Sequence, residues 1–215
     1  MIELINVYKE YKVNNSKKIV LNNISLKLNA NKGIAILGNN GQGKSTLMRM
    51  IAGTELPNKG YFVRNTTLSW PMGLSGTFQP SMTGRDNMKF VARIYDRNVK
   101  EVNDYVEEFS ELKEYLDMPV STYSNGMKSK LAFGLSLAIN FETYLIDEII
   151  SVGDNSFRIK SKEELKKKVT NAKVILISHH METIREFCDK VAILKDGNLV
   201  LYNDIEEGIK KFENE

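Results

Sequence analysis

The chain has 215 residues, of which 42% are hydrophobic and 27% charged, and its formal net charge is +3. This length suits one α/β domain with a small attached subdomain, and the weak charge excludes a strong electrostatic preference for nucleic acid or an anionic membrane. The one cysteine, Cys188, excludes an internal disulfide and agrees with a reducing compartment. No apolar run reaches the roughly 20 residues of a membrane helix, and the strand-like start is not a signal peptide.

The first part of the chain predicts an antiparallel sheet followed by a buried strand. Residues 2–7 and 19–28 have the pattern of strands, and between them lie Tyr11 and a polar turn over residues 14–18. Residues 33–37 are short and apolar, which predicts a buried strand.

The next nine residues match the G-x-x-x-x-G-K-[S/T] pattern of a phosphate-binding loop: Gly38, Asn39, Asn40, Gly41, Gln42, Gly43, Lys44, Ser45 and Thr46. A helix predicted over residues 45–52 completes the required strand-loop-helix context. Glycines let successive N–H groups point at phosphate oxygens, and the helix N-terminus adds partial positive charge. Lys44 can reach the β- and γ-phosphates, and the Ser45 hydroxyl can bind Mg²⁺. The pattern therefore predicts binding of a nucleoside triphosphate.

The middle of the chain predicts a small helical subdomain at about residues 84–139. Short strands at 61–63 and 68–70 and an ordered loop over 71–84 precede it. A first helix is expected over 85–95. In a second helix, apolar residues that should face the core recur at helical spacing: Val102, Tyr105, Val106, Phe109, Leu112, Tyr115 and Leu116.

The rest of the chain alternates helices and strands. The predicted elements are a helix over 131–138 that residues 123–127 open, a buried strand over 143–146, a surface helix over 157–169, a buried strand over 174–177, a hairpin over 190–202 and a final helix over 204–212.

Polar residues follow both buried strands: Asp147 and Glu148 follow the first, and His179 follows the second. Because the carboxyl ends of parallel strands share one edge with the phosphate loop, these side chains are expected there. Asp147 can hold Mg²⁺ through water, Glu148 can act as general base, and His179 can hydrogen-bond the γ-phosphate. The alternatives are that Asp147 and Glu148 only begin a helix, and that His179 has a structural role. His180 competes with His179, which we favour because it comes first after the strand.

Ser124, Asn125 and Gly126 precede the apolar helix of residues 131–138. In one interpretation Ser124 is an ordinary N-cap. In the other, this helix N-terminus is a second anion site that meets the γ-phosphate bound by another copy of the chain.

The order of phosphate loop, glutamine loop, helical insert, Ser-x-Gly signature, Asp-Glu strand and switch histidine resembles ABC ATPases over the whole chain. Residues 68–76, 82–87, 90–95, 123–136 and 144–157 are similar to the ATP-binding subunits of capsular polysaccharide exporters. The resemblance implies an α/β ATPase core with a mixed parallel sheet, an antiparallel β edge subdomain and a small α-helical subdomain. Residues 1–215 would form one nucleotide-binding domain, without the carboxy-terminal carbohydrate-binding domain of some O-antigen exporters.

The same resemblance implies roles for individual residues. Tyr11 would stack on adenine, and Gln79 would touch Mg²⁺ and face the membrane partner. The signature residues from Ser124 to Gly126 would bind the γ-phosphate held by the opposite protomer, and Asp154 would link the two sites. The chain departs from the commoner pattern at Asn125 and Met127, where glycine and glutamine are usual, and the segment between Gln79 and the next helix is short.

The function expected from this resemblance is ATP hydrolysis, with ATP and Mg²⁺, in a peripheral subunit at the cytoplasmic face of the membrane. Its partners would be a second copy, an integral membrane permease and, indirectly, a lipid-linked capsular polysaccharide, with no nucleic acid. Teichoic acid, O-antigen or another glycan are alternative cargoes, and a soluble ABC ATPase is a further alternative. The membrane contact is expected over residues 74–90, with Leu74, Phe78 and Met82 exposed unless they pack into the subdomain core.

Overall fold

The computed structural model describes residues 1–13, 16–72, 78–147 and 155–214. They pack into two compact units. The first comprises Met1–Pro71, Phe141–Ile149 and Asn171–Glu215, and the second comprises Met72–Asn140 and Ile150–Thr170. None of the described helices is long and apolar enough to cross a membrane.

The described elements are, in chain order, β1 (Ile2–Val13), β2 (Ser16–Leu28), β3 (Gly33–Leu37), α1 (Lys44–Ala52), β4 (Lys59–Arg64), α2 (Gly84–Ile94), α3 (Val99–Ser110), α4 (Asn125–Ala138), β5 (Thr143–Asp147), α5 (Asn155–Val169), β6 (Lys173–Ile177), α6 (Met181–Phe187), β7 (Lys190–Lys195), β8 (Asn198–Tyr202) and α7 (Ile205–Glu213). Short 3₁₀ helices at Lys113–Asp117 and Val120–Thr122 lie between α3 and α4. The strands lie in the first unit with α1, α6 and α7, and α2 to α5 form the second.

The first sheet is antiparallel, with the strand order β2-β1-β4. Its hairpin is longer than predicted, because Lys17 and Lys18, expected in a polar turn, lie in β2 opposite Lys12 and Tyr11. The charge of Lys17 is compensated by Glu10 at 2.9 Å, so a polar segment can continue the ladder. Ser16 of the predicted turn also lies in β2, and residues 14 and 15 lie outside the described residues. Tyr11 therefore has Lys18 as its direct neighbour across the hairpin.

The second sheet has the order β5-β6-β3-β7-β8, with its first four strands parallel and β8 antiparallel to β7. Every residue of β3 is buried, which explains its unbroken apolar sequence as a strand covered on both faces. Ile177 of β6 pairs with Ile36 of β3 on one side and with Asp147 of β5 on the other. The carboxyl ends of these three strands therefore meet at one edge.

Residues 68–70 form no strand, although one was predicted there. Leu68 makes an isolated bridge with Thr143. The hydroxyl of Ser69 then accepts a hydrogen bond from the N–H of Leu145 at 2.9 Å. A side-chain oxygen thus replaces the backbone carbonyl that would accept this N–H in a regular strand pair.

The helices of the second unit pack around aromatic rings. The ring of Phe109 on α3 lies 5.9 Å from that of Phe133 on α4 and 5.2 Å from that of Phe157 on α5, between centroids. The prediction of one helix to the end of the apolar stripe is wrong, because α3 ends at Ser110 and Glu111 takes a left-handed φ of 58°.

The apolar stripe nevertheless continues for part of its length after the helix ends. Leu112 and Leu116 are 5% and 0% exposed at the following 3₁₀ helix. Tyr115 is 46% exposed, so its predicted place in the core is wrong. Glu111 and Lys113 take left-handed φ values of 58° and 46°, so the chain changes direction after α3 and the period of that helix no longer sets the face of Tyr115.

The helix α6 was not predicted from the sequence, because seven residues are too few to show an apolar period. Just beyond it, Asp189 accepts the backbone N–H groups of Asn31, Lys32 and Gly33 at 3.0, 3.0 and 2.9 Å. Burial opposes ionisation of Asp189, but these three donors outweigh it and hold the pKa of the carboxyl below its ordinary value. The carboxylate thus fixes the start of β3.

We expect Asp189→Asn to lower the free energy of unfolding by about 1–3 kcal/mol at pH 7, because an amide replaces one acceptor oxygen. Because the folded pKa is lowered, this contribution is present above the ordinary pKa of about 4 and is lost as the pH falls through the folded value. Urea unfolding at neutral and acidic pH measures both effects. The control is Glu206→Gln, which breaks an exposed ion pair with Arg185 and should change stability little. Equal losses for the two variants would contradict the anchoring role.

Candidate functional site

A cavity of about 330 Å³ lies at the carboxyl edge of the second sheet, within the first unit. This volume is typical of sites for small molecules. Its lining comes from the hairpin of β1 and β2, the phosphate loop, α1 and the ends of β5 and β6: Tyr11, Lys18, Val20, Asn40, Gly41, Gly43, Lys44, Ser45, Thr46, Asp147, Ile177 and His179.

The conformation of the phosphate loop requires glycine at two positions. Gly43 has a φ of 101°, and a Cβ on it would lie 2.1 Å from a methyl carbon of Val20. A Cβ on Gly38 would lie 2.4 Å from the carbonyl oxygen of Leu194. Any side chain at either position would push the loop off its neighbouring strands.

Lys44 is the first residue of α1, and it is 9% exposed. Its Nζ donates to the carbonyl oxygen of Gly38 at 2.5 Å and to that of Asn39 at 3.2 Å. These bonds satisfy a buried ammonium group and hold it across the loop.

The side chain of Gln42 binds the β7–β8 hairpin instead of lining the cavity. Its Oε1 accepts the N–H of Asp196 at 2.9 Å, and its Nε2 donates to the Asp196 carboxylate at 3.4 Å. Gln42 lines a separate, smaller cavity together with Gly38, Asn39 and Phe212. Gly38, Asn39 and Gln42 could therefore bind phosphate only through their backbone groups. Their predicted role in phosphate binding stays a prediction.

The structure brings Asp147 and His179 into the same cavity as the phosphate loop. Asp147 is the last residue of β5 and is partly buried, whereas His179 follows β6 and is exposed. His180 occupies the N-cap position of α6. Glu148 and Asp154 lie outside the described residues.

The signature residues lie at the start of α4, in the second unit. The Ser124 hydroxyl accepts the N–H of Met127 at 3.2 Å, so Ser124 is the N-cap of the helix. Asn125 and Gly126 form its first turn. An N-cap and an anion site both need this arrangement, so the two interpretations stay open.

Gln79, also in the second unit, is exposed and is tied to Asn87 of α2 through its backbone. Its N–H donates to the Asn87 amide oxygen at 2.9 Å, and its carbonyl accepts from the amide nitrogen at 3.2 Å. These bonds hold the segment against α2. Phe78 is consequently only 9% exposed, so its predicted exposure is wrong, and Met82 is partly buried. Leu74 lies outside the described residues.

Three residues that line the cavity, Lys18, Val20 and Ile177, were not among the predicted site residues. Lys18 was assigned to a turn, but β2 places it directly opposite Tyr11. Its Nζ lies 3.6 Å from the point where a Cβ on Gly41 would stand. The hairpin thus adds a cation beside the phosphate loop, and only the strand register could have revealed it.

The fold matches solved structures of ATP-binding cassettes. One, a dimeric cassette in a post-hydrolysis state bound to ADP and Pi, superposes with a TM-score of 0.78 over 94% of this chain and 98% of that chain, at 21% identity. The predicted fold class, an α/β ABC ATPase with mixed parallel and antiparallel sheets and helices, is confirmed.

Similarity in sequence extends to named proteins. The family model described as ABC transporter matches residues 21–151. Polysialic acid transport ATP-binding protein KpsT of Escherichia coli is 40% identical, over 99% of this chain and 96% of that protein. Capsule polysaccharide export ATP-binding protein CtrD of Neisseria meningitidis serogroup B is 43% identical, over 99% and 98%. Teichoic acids export ATP-binding protein TagH of Staphylococcus haemolyticus is 33% identical, over 99% and 88%.

This chain belongs to the ABC transporter family and is an ATPase of that family. The predicted resemblance to the ATP-binding subunits of capsular polysaccharide exporters is also confirmed.

We expect Lys18→Gln to weaken ATP binding roughly 3- to 10-fold, because a charged donor beside the phosphate loop is lost. The matched control is Lys17→Gln, since Lys17 alternates to the other face of the hairpin and pairs with Glu10. Lys18→Arg should retain affinity. Nucleotide titration at low and high salt measures the effect, and equal affinities for the two glutamine variants would contradict it.

Proposed function

We propose that this chain is the ATP-hydrolysing subunit of a membrane exporter of lipid-linked capsular polysaccharide. The observation that carries the proposal is the cavity shared by the phosphate loop, Asp147 and His179. The cargo is inferred from relatives, similar over nearly the whole chain, whose names state polysialic acid or capsule transport. Teichoic acid export is the second candidate. The similarity to TagH supports it, but at 33% the identity is lower than that to KpsT and CtrD.

Each proposed role follows from the chemistry of a nucleoside triphosphate. Backbone N–H groups of the loop and the Lys44 ammonium would hold the β- and γ-phosphates, and the Tyr11 ring would stack on the base. Glu148 would take the proton of the attacking water as general base, and His179 would hydrogen-bond the γ-phosphate.

The donors around the phosphate loop suit a magnesium ion. Mg²⁺ prefers oxygen ligands, and the Ser45 hydroxyl and the Asp147 carboxylate line the same cavity. We propose these two, with Gln79, as its ligands. Bound there, the ion would neutralise negative charge on the phosphates.

The partners follow from the same proposal. A second copy would supply Ser124, Asn125 and Gly126 at the start of α4 to the γ-phosphate, and Asp154 would link the two sites. Residues 1–215 would act as one nucleotide-binding domain, with residues 84–139 as its helical subdomain. An integral permease would hold the pair at the cytoplasmic face of the membrane. Isolation from native membranes, with identification of the glycan lipid and permease that co-purify, tests the cargo.

We expect Glu148→Gln to keep ATP binding but to lower turnover about 10²-fold or more, because the general base is lost. The variant should also accumulate as a dimer in the presence of ATP, which gel filtration measures. Hydrolysis at the wild-type rate would exclude Glu148 as the base. In the same assays His179→Ala should lose more activity than His180→Ala, and the opposite order would exchange their roles.

We expect charged substitutions within residues 74–90 to detach the chain from membranes that contain its permease. Phe90 on α2 is 57% exposed, and it offers an apolar contact without disturbing the core. Ile159→Glu is the matched control for Phe90→Glu, because Ile159 on α5 is 56% exposed. Leu74 and Met82 extend the series.

Membrane pelleting and the ATPase rate of the isolated chain distinguish the outcomes of this series. Detachment of Phe90→Glu with its ATPase rate retained supports the contact. Equal binding of Phe90→Glu and Ile159→Glu would contradict it, and a loss of solubility at Met82→Glu would assign that residue to the core.

A further inference from the structure

The hydroxyl of Tyr11 points into a cluster of charged side chains behind the cavity. It donates to the carboxylate of Glu55 and lies 3.4 Å from the Thr46 hydroxyl. The Lys9 ammonium lies 2.7 Å from Glu55 Oε1, and Arg49 Nε lies 3.0 Å from Oε2. One carboxylate therefore joins β1, α1 and the segment after α1.

The centre of the cluster is shielded from solvent, whereas the Arg49 side chain at its edge is 38% exposed. Lys9 is 8% exposed, and the Glu55 side chain is 18% exposed. Burial opposes ionisation of Glu55, but the donors Lys9, Tyr11 and Arg49 outweigh it and lower its pKa to about 2. The carboxylate is therefore ionised at neutral pH, where it pairs with these donors.

The same groups restrain the ring of Tyr11 as well as its hydroxyl. The Lys9 ammonium lies 5.0 Å from the ring centroid, close enough for a cation–π contact. Lys9 is itself fixed by a bond from its Nζ to the Leu56 carbonyl at 2.8 Å. The ring thus reaches the cavity from one side while its far end is anchored on the other.

We propose that Glu55 is a positioning residue that fixes the Tyr11 ring for stacking on the base of the nucleotide. This inference rests on the proposed function of Tyr11. An aromatic ring that is already held loses less freedom when a ligand stacks on it, so the anchor strengthens the binding of ligands that carry a base. The cluster reaches the phosphate loop through the Thr46 hydroxyl, so its effect on phosphate binding should be the smaller of the two.

The probe that separates these effects is inorganic tripolyphosphate, which has the phosphates of ATP and no base. We expect Tyr11→Phe and Glu55→Gln each to weaken ATP binding roughly 3- to 10-fold, the range that one restrained side chain supplies. Tripolyphosphate binding should stay within about 2-fold of wild type. The double variant should lose little more than either single variant, because both remove one interaction. Glu55→Asp should restore part of the affinity.

Tyr11→Phe keeps every charge of the cluster, so it decides the matter even where Glu55→Gln unfolds. The control is Glu107→Gln, which breaks a comparable pair with Arg85 in the second unit and should change neither affinity. Unchanged ATP affinity of Tyr11→Phe would overturn the inference. An equal loss for both ligands would also overturn it, since that is a general structural effect.

A further variant separates failure of the inference from failure of the proposed function. If Tyr11→Ala weakens ATP binding but Tyr11→Phe and Glu55→Gln do not, the ring stacks without the anchor and only the role of Glu55 is lost. If Tyr11→Ala also binds ATP as wild type does, the proposed stacking itself is wrong. If the wild-type chain binds neither ligand, the cavity is not a nucleotide site.

Discussion

The parallel pairing of β6 between β3 and β5 is the constraint on which the site depends. Ile177 is opposite Ile36 in one neighbour and Asp147 in the other, so three strands end at the same level. The phosphate loop begins two residues after Ile36, and His179 comes two residues after Ile177. A register slip of one residue in either pair would turn Asp147 away from the cavity.

The phosphate loop is held in place on two sides by parts of the chain far from it in sequence. The loop lies so close to Val20 of β2 at Gly43, and to Leu194 of β7 at Gly38, that neither position has space for a side chain. The Gln42 side chain adds hydrogen bonds to the β7–β8 hairpin. A loop restrained in this way presents its N–H groups in fixed directions, which is what preorganised binding of phosphate requires.

Sequence predicted the features that local pattern determines. The phosphate loop is a contiguous motif that follows the apolar run of β3. The apolar runs of β5 and β6 lead into polar residues, so Asp147 and His179 could be assigned to one edge. The positions of Lys18 and Phe78 could not be predicted from local pattern. The position of Lys18 depends on pairing across the β1–β2 hairpin, and the burial of Phe78 depends on contacts of its segment with α2. The end of α3 was hidden because apolar residues continue beyond Glu111 in a 3₁₀ helix.

The two ends of the cavity are consequently built on different principles. At the phosphate end, most of the groups come from nine consecutive residues, and carbonyls of the same loop accept hydrogen bonds from the Lys44 ammonium. At the opposite end, Tyr11 is held by Glu55, which is 44 residues away in the chain. A contiguous motif constrains every residue in it, whereas a network of separate side chains can change one partner at a time. A single substitution in that network, such as one at Glu55, therefore changes the hold on Tyr11 while it leaves the sequence of the phosphate loop intact.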